Sequence, residues 1–118
     1  RLDFSGAANA VDAACAWAIP ARVRADFLEL RGGTPAYFRV GSAPGRAAVH
    51  MIVGKSGRTT QVTSGRVASV TASVTVDYGF GRLAFFRNQI EVRDLNGAAF
   101  SAGGDSGSLI WTDDARRT

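Results

Sequence analysis

The sequence predicts an all-β fold, and three observations support this prediction. β-Branched residues recur in short runs after Ala48, turn signals separate these runs, and the sequence after Ala48 contains no convincing helix pattern. Several short strands at close spacing are typical of a barrel or a sandwich. The strands predicted from these patterns are residues 49–53, 67–78, 84–93 and 108–112.

The strands and the turns between them have separate support. Residues 49–53 form a β-branched run closed by a glycine, and residues 67–78 fit one long strand or two strands with a bend. Residues 84–93 place apolar side chains at spacing two where the pattern is clean. Turns are predicted at residues 77–81 and at residues 94–97, which contain an Asn-Gly pair.

The first part of the chain is less regular. Residues 7–18 are rich in alanine and would form a helix on propensity alone. Residues 20–47 carry all three prolines and several glycines, which suits a connector that runs over a surface. Within this connector, residues 37–40 predict one short strand.

Length and charge restrict the class of protein. The 118 residues are enough for one small domain with a buried core. The formal net charge of +4 comes mainly from scattered arginines, whereas a nucleic-acid-binding surface usually concentrates them. We therefore expect a solvated surface and no nucleic-acid partner, with an anionic partner as the alternative. No apolar run approaches the ~20 residues of a membrane-spanning helix, so we expect no membrane partner.

Metal and disulfide chemistry find little support. Cys15 is the only cysteine, so no internal disulfide forms, and we expect its side chain to be a small buried hydrophobe. Asp113 and Asp114 are a carboxylate pair without a cluster of His or Cys residues. We therefore predict no metal and no other cofactor.

The strongest chemical signal is the segment Gly-Gly-Asp-Ser-Gly-Ser at residues 103–108. A nucleophilic serine needs a sharp turn, which glycines allow, so that its hydroxyl projects from the backbone. It also needs backbone N–H groups that point at the developing oxyanion. Ser106 is thus a candidate nucleophile. A glycine-rich hairpin with a serine facing solvent is the alternative.

Residues 104–108 resemble the nucleophile motif of chymotrypsin-like and trypsin-like serine peptidases. The resemblance extends to Lys-Ser-Gly-Arg-Thr-Thr at residues 55–60, Thr-Ser-Gly at residues 63–65 and Asn-Gln-Ile at residues 88–90, which are similar to divergent bacterial and plant members. Gln61 departs from the pattern, since those members usually carry glycine there.

This resemblance implies a role for each residue of the loop. Ser106 is the expected nucleophile, and the backbone N–H groups of Gly104 and Ser106 are the expected oxyanion hole. Gly107 completes the motif. Asp105 is expected to be buried and paired with a cation that shapes the loop, although the sequence does not name that cation.

Asp12 is the expected second catalytic residue. Residues 9–14 resemble the family segment in which an asparagine shortly precedes the catalytic aspartate, and Asp12 lies 94 positions before Ser106, close to the spacing of known triads. Asp12 would orient the catalytic imidazole. Residues 13–18 would then be a strand rather than the helix that propensity suggests. An exposed or helix-capping aspartate is the alternative.

The histidine of the triad has no counterpart in the expected place. The family order of His, Asp and Ser requires a base before Asp12, and the only histidine is His50. The order Asp12, His50, Ser106 matches subtilisin-like enzymes, but the serine context does not, and His50 is predicted to lie in the middle of a strand. We therefore interpret the chain as a fragment that lacks the His-bearing N-terminal part and the C-terminus.

The resemblance implies a chymotrypsin-like double β-barrel. Residues 1–19 would end the N-terminal barrel, residues 20–47 would connect the barrels, and residues 48–118 would form a partial C-terminal barrel with the nucleophile loop. The wall of the primary specificity pocket would follow residue 118, so the substrate preference stays open.

The predicted function is a serine endopeptidase in the full-length protein, with a protein or peptide as its substrate. Residues 1–118 alone are expected to be inactive because the base is missing. The alternative is a non-catalytic, trypsin-like β-barrel that binds other proteins. A P-loop is disfavoured because Val49 stands where its first glycine belongs, and an α/β-hydrolase elbow is disfavoured because it requires glycine in place of Ser108.

Overall fold

The computed structural model describes residues 1–41, 43–95 and 97–112, and the backbone of residues 116–117. These ranges contain eight strands and one turn of 3₁₀ helix at Pro20–Arg22, which confirms the all-β prediction. The strands are Ala8–Asn9 (β1), Phe27–Arg31 (β2), Thr34–Val40 (β3), Ile52–Gly57 (β4), Gln61–Asp77 (β5), Leu83–Asp94 (β6), Ile110–Thr112 (β7) and Arg116–Arg117 (β8).

The strands form two sheets. The larger sheet has the order β1-β6-β5-β4-β7 and curls into a half-barrel, with antiparallel neighbours except for the parallel pair of β1 and β6. The register between β5 and β6 shifts at three places between Val67 and Val74. Such irregularities bend a strand and increase its twist, so one 17-residue strand can follow the curve of the half-barrel.

A small aromatic cluster joins the second sheet, of order β2-β3-β8, to the first. The ring of Trp111 on β7 lies 5.3 Å from the ring of Phe27 and 5.3 Å from that of Phe38, measured between centroids. These separations are typical of favourable aromatic pairs. The buried apolar side chains of the described residues are Phe38, Val53, Val67, Ala84, Phe86 and Trp111.

The predicted turns and connector can be compared with the structure. The turn at residues 77–81 is confirmed, because the Tyr78 N–H donates to the Arg82 carbonyl at 2.9 Å and the Arg82 N–H donates to the Gly79 carbonyl at 3.1 Å. At the predicted turn over residues 94–97, the Gly97 N–H donates to the Asp94 carboxylate at 2.7 Å, while residue 96 lies outside the described residues. The predicted connector, residues 20–47, holds the β2–β3 hairpin, of which the sequence predicted only the end of β3.

The predicted structure of residues 7–18 is wrong in both of its forms. Neither a helix nor a strand over residues 13–18 is present, and only Ala8–Asn9 pairs, with β6. Alanine propensity gives little stability when a helix has no apolar face to bury, and here Trp17 is fully exposed. Cys15 is exposed rather than buried. Among the described residues, no helix is long and apolar enough to cross a membrane.

The predicted position of His50 in the middle of a strand is also wrong. His50 has a φ of 73° and lies in a turn closed by the bond from the Met51 N–H to the Ala48 carbonyl. Strand β4 therefore begins only at Ile52. The β-branched run at residues 49–53 thus forms a strand only in its last two residues. Its first part turns at His50, whose N–H donates to the Val67 carbonyl of β5.

Candidate active site

The loop that carries Ser106 is a double turn, held by two backbone hydrogen bonds between residues three positions apart. The Asp105 N–H donates to the Ala102 carbonyl at 3.0 Å, and the Ser108 N–H donates to the Asp105 carbonyl at 3.0 Å. Gly104 and Gly107 have φ values of 98° and 84°, a region that glycine enters without steric cost. These two glycines flank the turn, so Ser106 lies at its exposed tip.

The Asp105 side chain is buried beneath this loop and bonded on both oxygens. The N–H groups of Thr59 and Thr60 donate to Oδ1 at 2.7 and 3.2 Å. The Thr60 hydroxyl and the Ala102 N–H donate to Oδ2 at 2.7 and 3.0 Å. These donors, the Thr60 hydroxyl first among them, hold the pKa of the Asp105 carboxyl far below its ordinary value and outweigh the opposite effect of burial.

Lys55 is the cation that accompanies this carboxylate. Its Nζ lies 3.4 Å from Oδ2 of Asp105, and the two side chains are 2% and 0% exposed. Lys55 also donates to the Thr60 hydroxyl and, at 3.1 Å, to the Gln61 carbonyl. The expectation that Asp105 is buried is thus met in the structure, and Lys55 supplies the partner that the sequence did not name.

Two glycines of strand β4, Gly54 and Gly57, make room for this arrangement. A Cβ atom at Gly57 would overlap the Asp105 carboxylate, and one at Gly54 would lie 2.7 Å from Nε1 of Trp111. Both distances are far shorter than real Cβ contacts. Strand β4 therefore packs against both the Ser106 loop and the aromatic cluster.

The two amides expected to form an oxyanion hole are those of Gly104 and Ser106. Their N–H groups donate to no group in the part of the chain that the structure describes. The Ser106 hydroxyl likewise makes no hydrogen bond there. Within the described residues, a hydroxyl and two N–H groups of this loop therefore have no partner, and these are the kinds of group that acyl transfer uses.

The Asp12 segment is attached to β6 at a different place. The Asn9 side chain donates to the Phe85 carbonyl at 3.1 Å, and the Gln89 side chain donates to the Ala10 carbonyl at 3.0 Å. Asp12 itself accepts a 2.5 Å hydrogen bond from the Tyr78 hydroxyl. This bond raises the pKa of Tyr78 above its ordinary value, because the neutral phenol is the form that donates.

The structure brings together Gly104, Asp105, Ser106 and Gly107, but it does not bring Asp12 into contact with them. Asp12 lies beside the C-terminal end of β5, at Tyr78, whereas the Ser106 loop rests on the turn before the N-terminal end of β5. No hydrogen bond joins Asp12 to Ser106. Their apposition therefore stays a prediction.

No protein-family model, curated protein or solved structure matches this chain. The functional interpretation therefore depends on the motifs and on the geometry around Ser106.

Sequence reasoning missed four residues near the candidate site. Lys55 and Thr60 belong to the segment at residues 55–60 that supported the resemblance, so the motif itself carried their signal. Arg58 belongs to the same segment, and its guanidinium lies against Gly104. Tyr78 gave no signal beyond its place in a predicted turn, because its contact with Asp12 joins residues that are 66 positions apart.

Proposed function

We propose that Ser106 is the nucleophile of a serine endopeptidase with a chymotrypsin-like double β-barrel. In this proposal the curled five-stranded sheet is part of the second barrel. The base is a histidine that precedes Asp12 in the full-length polypeptide, in keeping with the family order. The single observation that carries the proposal is the buried pair of Lys55 and Asp105 beneath an exposed serine. The amides of Gly104 and Ser106 in the same loop have no partner among the described residues.

The buried pair supports a catalytic role because of what it costs. Removing two charges from water is expensive and is offset only when further hydrogen bonds satisfy both groups. A hairpin that merely exposed a serine would need no such support. A nucleophile does, because oxyanion donors are effective only when they are held in place before the charge develops.

The proposed reaction is acyl transfer by an acyl-enzyme mechanism. The Ser106 oxygen forms a bond to the carbonyl carbon of the scissile peptide, and the histidine takes the hydroxyl proton. The negative charge on the carbonyl oxygen is stabilised by the N–H groups of Gly104 and Ser106. The histidine then gives the proton to the leaving amine as the peptide bond breaks, and water hydrolyses the acyl-enzyme by the same steps. The resemblance assigns to Asp12 the role of holding the imidazole in the required tautomer, which requires Asp12 to approach Ser106 in the full-length protein.

Labelling of the serine tests this proposal. In the full-length protein, a fluorophosphonate probe should label Ser106 stoichiometrically, and Ser106→Ala should abolish labelling. Ser108→Ala is a matched control in the same loop, since its hydroxyl donates to the Asp105 carbonyl rather than acting as nucleophile. Equal labelling of the wild type and Ser106→Ala would overturn the assignment. Absence of labelling in the wild type would favour a non-catalytic, protein-binding barrel.

Residues 1–118 alone provide a second test. The His50 side chain makes no hydrogen bond to Ser106 or Asp12 in the described part of the chain, so these residues should react with the probe far more slowly than the full-length protein. Rapid stoichiometric labelling of Ser106 in residues 1–118 would contradict the requirement for a separate histidine.

A further inference from the structure

The Arg58 side chain lies against the loop that carries Ser106. A Cβ atom at Gly104 would lie 2.5 Å from Nη2 and 3.2 Å from Cζ of Arg58. The guanidinium therefore packs on the α-carbon of the residue that supplies one of the two proposed oxyanion donors. Arg58 is exposed, and its contact is with Gly104, two positions before Ser106.

The charge of Arg58 is not used inside the described part of the protein. Four other arginines there make ion pairs with carboxylates, whereas the Arg58 side chain makes no ion pair and donates no hydrogen bond. The carboxylate beneath the loop, Asp105, already has Lys55, the Thr60 hydroxyl and three backbone N–H groups as partners. It does not need a second cation.

Arg58 contacts a loop that has unused hydrogen-bond donors. Within the described residues, the N–H groups of Gly104 and Ser106 and the Ser106 hydroxyl make no hydrogen bond. A planar guanidinium has a fork of donors that matches a carboxylate in a bidentate manner. An exposed guanidinium that packs against Gly104 of this loop is thus suited to an anionic ligand.

We propose that Arg58 binds a carboxylate of the substrate close to the scissile bond, so that the enzyme prefers acidic peptides. This inference rests on the proposed peptidase function and names the substrate class for the same site. The carboxylate belongs either to an Asp or Glu side chain next to the cleaved bond or to a C-terminal residue. Both sources present the same group to Arg58, and the experiment separates them.

The first arm measures cleavage by the full-length protein. Peptide pairs that differ only by Glu against Gln at one position near the cleaved bond, or by a free acid against an amide at the C-terminus, give a ratio of kcat/KM for each position. We expect a ratio of about tenfold or more at one position in the wild type, as a charge-assisted bidentate contact would give. Arg58→Gln should reduce this ratio to about one, and Arg58→Glu should invert it in favour of the Gln or amide peptide.

A wild-type ratio near one at every position, or a ratio that Arg58→Gln leaves unchanged, excludes carboxylate recognition by this residue. An equal fall in kcat/KM for Glu and Gln peptides in Arg58→Gln would assign Arg58 to support of the loop instead. Arg66→Gln is a matched control, because Arg66 is an exposed arginine on β5 that makes no ion pair in the described residues.

The second arm measures binding without catalysis. An acetylated Glu peptide and its Gln counterpart are titrated into the Ser106→Ala protein, and the amide signal of Gly104 and the Nε–H signal of Arg58 are followed by NMR. A saturable shift with the Glu peptide alone, lost in Arg58→Gln, supports the site even if the wild type hydrolyses nothing. Cleavage by the wild type without such binding or preference would leave the peptidase proposal intact and refute this one.

Discussion

Replacing Lys55 by Met tests whether the buried cation supports the Ser106 loop. Methionine keeps the length of the apolar stem and removes the charge, which leaves the carboxylate beneath the loop without its cation. Breaking a buried ion pair from one side typically costs about 3–5 kcal/mol. We therefore expect Lys55→Met to lower the free energy of unfolding by about that amount, including the lost bonds to Thr60 and Gln61.

The expected change is large enough to measure by thermal unfolding. With 118 residues, the entropy of unfolding corresponds to roughly 0.25 kcal/mol per degree, so the melting temperature should fall by roughly 12–20 °C. Circular dichroism against temperature and against urea gives both quantities. In the full-length protein, labelling of Ser106 should slow as well, because the loop is less well held.

Two further variants decide whether the reasoning holds. Arg66→Met removes a positive charge from an exposed position on β5 and should change the melting temperature by only a few degrees. The double variant Lys55→Met, Asp105→Asn should lose less stability than the sum of the two single variants, since neither charge then remains buried alone. If Lys55→Met behaves like Arg66→Met, or if the double variant loses as much as that sum, the buried pair does not have the role assigned to it.

Three other predictions concern the same structure. Gly57→Ala should slow labelling of Ser106 and destabilise the fold by about 1–3 kcal/mol, because the new Cβ atom overlaps the Asp105 carboxylate, whereas Gly45→Ala meets no atom within 4 Å and should do neither. Asp12→Asn should lower the pKa of Tyr78 toward its ordinary value of 10.0 in an ultraviolet titration, because the carboxylate contact that raises it weakens; a pKa unchanged by the substitution would contradict the contact. The stability contributed by that contact should be present below pH 10 and disappear as the pH rises through the raised pKa of Tyr78. Because the pKa of Asp105 is lowered from 3.8, its contribution to stability should be present above pH 4 and decline as the pH falls below that value; Asp105→Asn should show a shallower acid decline than the wild type, and parallel curves would be evidence against this.

The sequence predicted the parts of the fold that depend on short-range patterns. Strands β5 and β6 follow from runs of apolar and β-branched residues, and the turn at residues 77–81 follows from its glycines and aspartate. The loop around Ser106 was found because its chemistry is contained in a few consecutive residues. In each case the information is local, so neighbouring positions in the chain suffice to predict it.

The remaining features depend on contacts between distant positions. Thr60 and Asp105 are 45 positions apart, and nothing in either segment alone states that they meet. The turn at His50 overrode a β-branched run because β5 supplies a hydrogen-bond partner for its N–H. The alanines of residues 7–18 adopt no helix because little apolar surface is buried there. Tertiary contacts thus decided the outcome wherever local preference was weak.

Lys55, the cation beside Asp105, belongs to strand β4. Its two other hydrogen-bond acceptors are the hydroxyl of Thr60, just before β5, and the carbonyl of Gln61, the first residue of β5. Pairing of β4 and β5 in this register therefore brings together Lys55, the Thr60 hydroxyl and the backbone donors of Thr59 and Thr60. Assembly of the support under Ser106 is therefore coupled to the folding of one hairpin, formed by β4 and β5.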